Sequence, residues 1–259
     1  ATATMICTIV DIEGEPREIL FYIPENASEL QPDGAPVITV WAGGSQTNII
    51  FFDSTCWWET ANQNGIALIF TNEAYNTSVA VTPADVDACY HAMLDLLEGW
   101  NDSGKFQFDL SRIYSTGQSM GSMESQQFAQ ETPDYYAAVA STSFYQDYPD
   151  AHSDKPIPTY LINGEGNGKD DTGTPYDDRW NRTDDWAQYF LRVNGFVYTP
   201  AVYAADGTVT TFGVPVSEPV FTVTGPYDRF ETYTWINGQD IPLVQYTNSL
   251  YRPHNCLTS

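Results

Sequence analysis

Lysine is almost missing from this chain: Lys105, Lys155 and Lys169 are the only ones, and Lys plus Arg total 10 against 34 carboxylates, a formal net charge of −24. Such a field repels phosphate backbones and anionic lipid, which excludes nucleic acid and membrane surfaces as partners. It suits an extracellular or salt-tolerant protein kept in solution by its acidic surface. Long apolar runs are missing too, and none approaches the roughly 20 residues that cross a bilayer. Cysteine is sparse: Cys7, Cys56, Cys89 and Cys256 lie far apart without a Cys-x-x-Cys spacing, so no zinc site is expected. Their even number allows two disulfides in an oxidising compartment, with the pairing open. There is no internal repeat and no low-complexity tract. The sequence opens at Ala1-Thr2-Ala3-Thr4 without a basic, apolar leader. Together with the lysine poverty and the abundance of Asn, Tyr and Trp, that leads to the expectation of a secreted protein whose signal peptide has been removed. Asn26, Asn76, Asn101 and Asn181 head Asn-x-Ser/Thr acceptors, which matter only in a source that glycosylates proteins.

What is present is globular. With 259 residues, 42% hydrophobic and 14% aromatic, the chain suffices for one large α/β domain over residues 1–259. The informative stretch is Ile113-Tyr114-Ser115-Thr116-Gly117-Gln118-Ser119-Met120-Gly121. A buried strand runs into Gly-x-Ser-x-Gly, then into a helix expected over Met120 to Glu131. In such a nucleophile elbow the serine sits on a sharp, strained turn that lifts its Oγ clear of the sheet. Gly117 and Gly121 fit because a Cβ at either place would collide with neighbouring backbone. Ser119 is therefore the candidate nucleophile.

Taken in order, Thr4 to Ile12 and Arg17 to Ile23 predict an antiparallel N-terminal hairpin across a Gly-Glu-Pro turn. Residues 25–34 predict a loop, and Pro36 to Trp41 and Ile66 to Phe70 predict strands buried on both faces. Thr82 to Trp100 predicts the clearest helix, capped by Thr82, with Val86, Cys89, Met93, Leu96, Leu97 and Trp100 at helical spacing. Strands are expected again over Ala137 to Ser143 and Pro158 to Ile162, and a helix over Asp184 to Asn194. The alternation implies a mostly parallel central sheet with helices on both faces. Thr208 to Thr224 is β-prone and broken by prolines, an excursion over the sheet's end. Phe230 to Trp235 and Ile241 to Thr247 flank Asn237-Gly238, the strongest hairpin signal in the chain.

A serine hydroxyl needs an adjacent base, usually a histidine oriented by a carboxylate. The chain holds three histidines. His91 falls mid-helix, where a structural role is expected. His152 follows in a polar loop, and His254 lies just beyond the final strand, the place from which this order of elements delivers its base. His254 is preferred over His152.

At this point the chain resembles the esterase family of secreted polyhydroxybutyrate depolymerases and related feruloyl and acetylxylan esterases, all α/β-hydrolases. Ala42-Gly43-Gly44-Ser45-Gln46-Thr47 stands where the family has a His-Gly-x-Gly-Gln-Thr-like loop. Asp109-Leu110-Ser111-Arg112-Ile113-Tyr114 matches its Asp-Pro-Ser-Arg-Val-Tyr approach to the elbow, and Thr132-Pro133-Asp134-Tyr135-Tyr136-Ala137-Ala138 the stretch after it. The similarity covers roughly Pro36 to Tyr176 and, more loosely, Thr232 to His254. Two departures stand out. Ala42 replaces the loop histidine, and the position expected for the acid, counting from Gly164, holds Asn167. Counting back from Pro175-Tyr176, Asp171 fits the family's Asp-Thr-x-x-Pro-Tyr pattern, with Asp170 and then Glu165 as alternatives.

The resemblance implies an α/β-hydrolase fold and a serine carboxylic ester hydrolase acting on polyester or on acyl esters of plant polysaccharide. The triad would be Ser119, Asp171 and His254, with an oxyanion hole from the backbone N–H of Met120 and of Gly44 or Ser45. Trp57, Trp58 and Trp180 are candidate walls of an apolar subsite, Trp186 another. No metal or organic cofactor is required, the expected partner is an ester substrate, polymeric ones included, and a monomer is expected. The alternative is a non-catalytic binding module that kept the elbow and lost its acid.

Overall fold

The computed structural model describes residues 2–12, 14–44, 46–74, 83–143, 153–164, 187, 189–199, 202–205, 209–211, 214–215 and 218–249. Strands β1 (Ala3–Ile12) and β2 (Glu15–Pro24) form the N-terminal antiparallel hairpin, paired from Ala3 with Pro24 to Ile12 with Glu15. Gly14, at φ +88°, closes it and donates its N–H to Asp11 Oδ1 at 2.9 Å. The segment expected to be a loop holds a single helical turn, α1 (Ala27–Leu30), closed by the Leu30 N–H on the Asn26 carbonyl. One turn has no periodicity for a sequence to display.

β3 (Ala35–Trp41) is followed by two short helices, α2 (Asn48–Thr55) and α3 (Trp57–Asn64), and by β4 (Ala67–Ala74). Then come the long α4 (Pro83–Ser103), β5 (Phe108–Gln118), α5 (Met120–Glu131), β6 (Ala138–Thr142) and β7 (Thr159–Gly164). Residues 187 and 189–193 are helical. Two small ribbons pair β8 (Val197–Thr199) with β11 (Val214–Pro215), and β9 (Val202–Tyr203) with β10 (Val209–Thr211). The last strands are β12 (Val220–Thr224), β13 (Phe230–Ile236) and β14 (Pro242–Ser249).

Ten strands form one sheet in the order β1-β2-β4-β3-β5-β6-β7-β14-β13-β12. The stretch from β4 to β14 is parallel throughout, and antiparallel strands flank it on both sides. The proline-broken segment is thus no simple excursion: β12 pairs with β13 and widens the main sheet. Asn237 does sit in the β13–β14 hairpin, but by another mechanism than a tight Asn-Gly turn. Its Oδ1 accepts the N–H groups of Gln239 and Ile241, and Asp240, not Gly238, takes the positive φ.

Period-two alternation explains the two cores. Ile19, Phe21, Ile23, Val37, Trp41 and Ile69 face α4, α5 and residues 187 and 189–196, where Met93, Leu97, Phe128 and Phe190 are buried. Leu20, Tyr22, Val40, Leu68 and Phe70 face the other way and meet Phe51, Phe52 and Ala61 of α2 and α3. Helices therefore cover both faces. Cys89 is buried on the α4 side, whereas Cys56 lies half-buried between α2 and α3 as a free thiol. Cys256 lies outside the described residues.

The Asp109–Arg112 motif is a clasp at the amino end of β5. Arg112 Nε donates to Asp109 Oδ2 at 2.6 Å, Nη1 to Gln31 Oε1 at 3.2 Å and Nη2 to the Gly34 carbonyl at 2.7 Å. Ser111 donates both N–H and Oγ–H to Asp109, and these bonds, with those from Arg112, hold the carboxyl below the usual range. The motif fixes how β3 and β5 enter the sheet.

Candidate active site

β5 ends at Gln118, and Ser119 stands alone between it and α5, at φ +56° and ψ −115°. That backbone state is strained for any residue with a Cβ. Its N–H still follows the sheet ladder, donating to the Thr142 carbonyl at 3.0 Å, while its own carbonyl accepts Ser122 N–H at 3.0 Å and Met123 N–H at 3.2 Å to begin α5. One residue thus closes a strand and opens a helix.

Both glycines of the motif are demanded by contact. A Cβ on Gly117 would lie 2.1 Å from the Gly121 carbonyl oxygen, and one on Gly121 would lie 2.0 Å from the Trp41 carbonyl oxygen. Backbone meets backbone at both places, so no side-chain motion relieves the overlap. This close approach pins α5 against the end of β3. Beneath the turn, Trp41 Nε1 donates to Ser115 Oγ at 3.1 Å, which donates to Ser125 Oγ at 3.0 Å. Thr39 Oγ1 donates to Tyr136 OH at 3.2 Å, and burial pushes that phenol well above its ordinary pKa. These bonds tie β3, β5 and α5 together behind Ser119.

The loop after β3 arrives beside the elbow. Gly43 and Gln46 close a turn, with Gly43 N–H on Gln46 Oε1 at 3.1 Å and Gln46 N–H on the Gly43 carbonyl at 3.3 Å. A Cβ on Gly44 would lie 2.6 Å from Met120 Sδ, so Gly44 and Met120, two of the expected oxyanion-hole residues, are neighbours. Met120 heads α5, where the first N–H groups have no partner inside the helix and the dipole favours negative charge. Ser45 lies outside the described residues.

On the α2–α3 side of the elbow opens a cavity of about 590 Å3, lined among others by Phe51, Cys56, Trp57, Gln118, Thr142 and Ile162. Trp57 is one of its walls; Trp58, at 36% exposure, is not. Local sequence gave no sign of Gln118, Thr142 and Ile162. They meet because Gln118 pairs with Thr142 and Thr142 with Ile162 across three parallel strands, a relation only register supplies. Ser143, also unforeseen, repeats Ser119's posture one strand over. Its N–H donates to the Ile162 carbonyl at 2.9 Å, its φ is +65°, and its buried Oγ has no partner among the described residues.

Among the remaining candidates, His91 lies on the exposed face of α4, with Nε2 3.1 Å from Tyr135 OH and 3.6 Å from Asp87 Oδ2, away from the elbow's turn. His254, His152, Asp171, Asp170, Glu165, Trp180 and Trp186 lie outside the described residues. The strands that lead to them are described. β7 ends at Gly164 and β14 at Ser249, these two residues are paired, and both strands run parallel to β5. The chain leaves all three strands at one edge of the sheet.

A doubly covered, mostly parallel sheet with a strained serine between its fifth strand and the following helix defines the α/β-hydrolase fold, and the solved structures it resembles bear this out. It is similar to the acetyl xylan esterase from Aspergillus awamori, with a TM-score of 0.61 at 14% identity over 98% of this chain and 94% of that one. It is also similar to a mutant feruloyl esterase module from Clostridium thermocellum complexed with sinapinate, with a TM-score of 0.51 at 12% identity over 76% and 75%. S-formylglutathione hydrolase from Staphylococcus aureus gives 0.51 at 16% over 72% and 87%. No family model matches the sequence, and no curated protein matches it. At such identities the likeness is one of fold.

Proposed function

We propose that this protein is a serine carboxylic ester hydrolase with Ser119 as nucleophile, His254 as base and Asp171 as the acid that orients it. The observation that carries the reading is Ser119 at φ +56° and ψ −115° between β5 and the head of α5, held there by two glycines that admit no side chain, with the Gly44 loop beside it at Met120. Strain of this kind persists where the surroundings over-determine it, and it clusters at reacting centres. The parallel strands lie about 4.8 Å apart, so β14 is about 14 Å and β7 about 10 Å from β5. His254 comes five residues after Ser249, a reach of about 17 Å, and Asp171 seven after Gly164, about 24 Å. Both reaches suffice.

In the reaction Ser119 Oγ attacks the ester carbonyl carbon while its proton passes to the imidazole. The oxyanion faces the N–H groups of Met120 and of Gly44 or Ser45, donors that typically contribute two to three powers of ten each. The carbon–oxygen bond to the alcohol breaks, the alcohol takes the proton, and water then cleaves the acyl-enzyme by the same route. The solved relatives are named for acetyl xylan and feruloyl esters, which supports plant-polysaccharide acyl esters as substrates; polyesters of hydroxy acids are the alternative. The acidic, lysine-poor composition supports export from the cell and action as a monomer.

A fluorophosphonate probe tests the reading. Folded protein is expected to be labelled at Ser119 and to lose p-nitrophenyl acetate turnover in step with labelling. A folded protein that takes no label would instead be a binding module on this scaffold. Asp171→Asn against Asp170→Asn, at matched stability, assigns the acid.

A further inference from the structure

We propose that the cavity between the α2–α3 turn and the carboxyl ends of β5, β6 and β7 is the acyl subsite, and that it takes an uncharged acyl group larger than acetyl. This rests on the reading of Ser119 as nucleophile. Three directions leave the carbonyl carbon above Ser119. The oxyanion turns toward Gly44 and Met120, on the side of β3 and the start of α5. The alcohol oxygen must lie beside the base that protonates it, and the chain that carries His254 leaves from β14, beyond β7. The acyl chain takes the remaining direction, toward α2 and α3. There Gly117 and Gln118, the two residues before Ser119, already form one wall of the cavity.

Size and charge then choose the acyl group. A cavity of about 590 Å3 falls in the range that holds whole small molecules, and an acetyl methyl would leave nearly all of it unfilled. The Trp57 ring and Ile162 supply apolar walls, while Thr60, Gln118 and Thr142 supply hydroxyl and amide groups for a carbonyl or hydroxyl on the chain. Glu59 is the only charged side chain among the described residues that line it. Among the described residues that line it nothing offsets that carboxylate, in a chain of net charge −24, so a second carboxylate on the acyl group is repelled.

The test compares kcat/KM for p-nitrophenyl acetate, butyrate, 3-phenylpropanoate and hemisuccinate in the wild type, Thr60→Trp and Glu59→Lys. Positions 59 and 60 are both exposed on α3, where substitution leaves the core alone. The wild type is expected to favour butyrate and phenylpropanoate over acetate and to reject hemisuccinate. Thr60→Trp should lower the phenylpropanoate-to-acetate ratio by roughly tenfold or more, since a misfit of a few heavy atoms in an apolar pocket has that effect. Glu59→Lys should raise the hemisuccinate-to-butyrate ratio by roughly tenfold, from reversal of one nearby charge. Ratios that stay constant across the three proteins, with Ser119 still labelled by fluorophosphonate, overturn the subsite and leave the nucleophile standing. A wild type that takes no label overturns both.

Discussion

Replacement of Ser119 by glycine and by alanine should both end ester hydrolysis, yet the two proteins should differ in stability, with glycine the more stable. The reason lies in φ +56° and ψ −115°, a state that alanine reaches only with strain and glycine enters freely. A side-chain-bearing residue in such a region costs about 1–3 kcal/mol. Glycine gives back about 0.5–1 kcal/mol through the larger freedom of its unfolded chain. The difference left is about 1 kcal/mol in favour of glycine, or about 2–4 °C in Tm for a chain of this size. Ser103, exposed in the last turn of α4, is the control. There alanine should exceed glycine by about 0.5–1 kcal/mol, the ordinary helical order. Paired thermal and urea unfolding of the four variants, followed by circular dichroism, reads both differences in one experiment. Alanine more stable than glycine at position 119 would refute the claim that the elbow is strained, whatever the catalytic result.

Three further outcomes follow from the packing. Gly121→Ala places a Cβ 2.0 Å from the Trp41 carbonyl oxygen and 2.9 Å from that of Ala42; a loss above about 4 kcal/mol, or insoluble expression, is expected, and a soluble protein of wild-type Tm would contradict the close approach. Arg112→Ala breaks bonds to Asp109, Gln31 and Gly34 far from the elbow, so the urea midpoint should fall by the equivalent of about 1–2 kcal/mol with kcat unchanged. Burial, then the charges of Tyr135, Glu98 and Asp87, push the Tyr90 phenol up to about 12. Because the folded state favours the neutral phenol, its contribution is complete below the unfolded value of about 10 and is lost as pH rises toward 12. Alkaline unfolding should set in across that window and be blunted in Tyr90→Phe.

The elbow was legible because three local signals adjoin one another: a β-prone run from Ile113 to Thr116, two glycines spaced around a serine, and a helix-forming stretch directly after it. The central strands were legible for a like reason, since strands buried on both faces show as short apolar runs such as Pro36 to Trp41. Other parts are not written locally. α2 and α3 are separated by Cys56 in a left-handed conformation at φ +53°, where neither glycine nor proline marks the break. The pairing of β12 with β13 that widens the sheet depends on partners that only the folded chain brings together. Asn237-Gly238 announced a hairpin, but side-chain acceptance by Asn237 decided its shape. The cavity beside Ser119 exists only through register between strands.

Ser143 bears on what makes a serine reactive. Two adjacent strands of one sheet finish alike, each handing its last amide to the next strand and each turning left-handed at a serine. One of these hydroxyls stands at the mouth of a helix with a glycine loop beside it, and the other is sealed from water. Unusual torsion angles alone therefore do not single out an attacking group. On the proposed reading, chemistry goes to the twin that a reagent can approach.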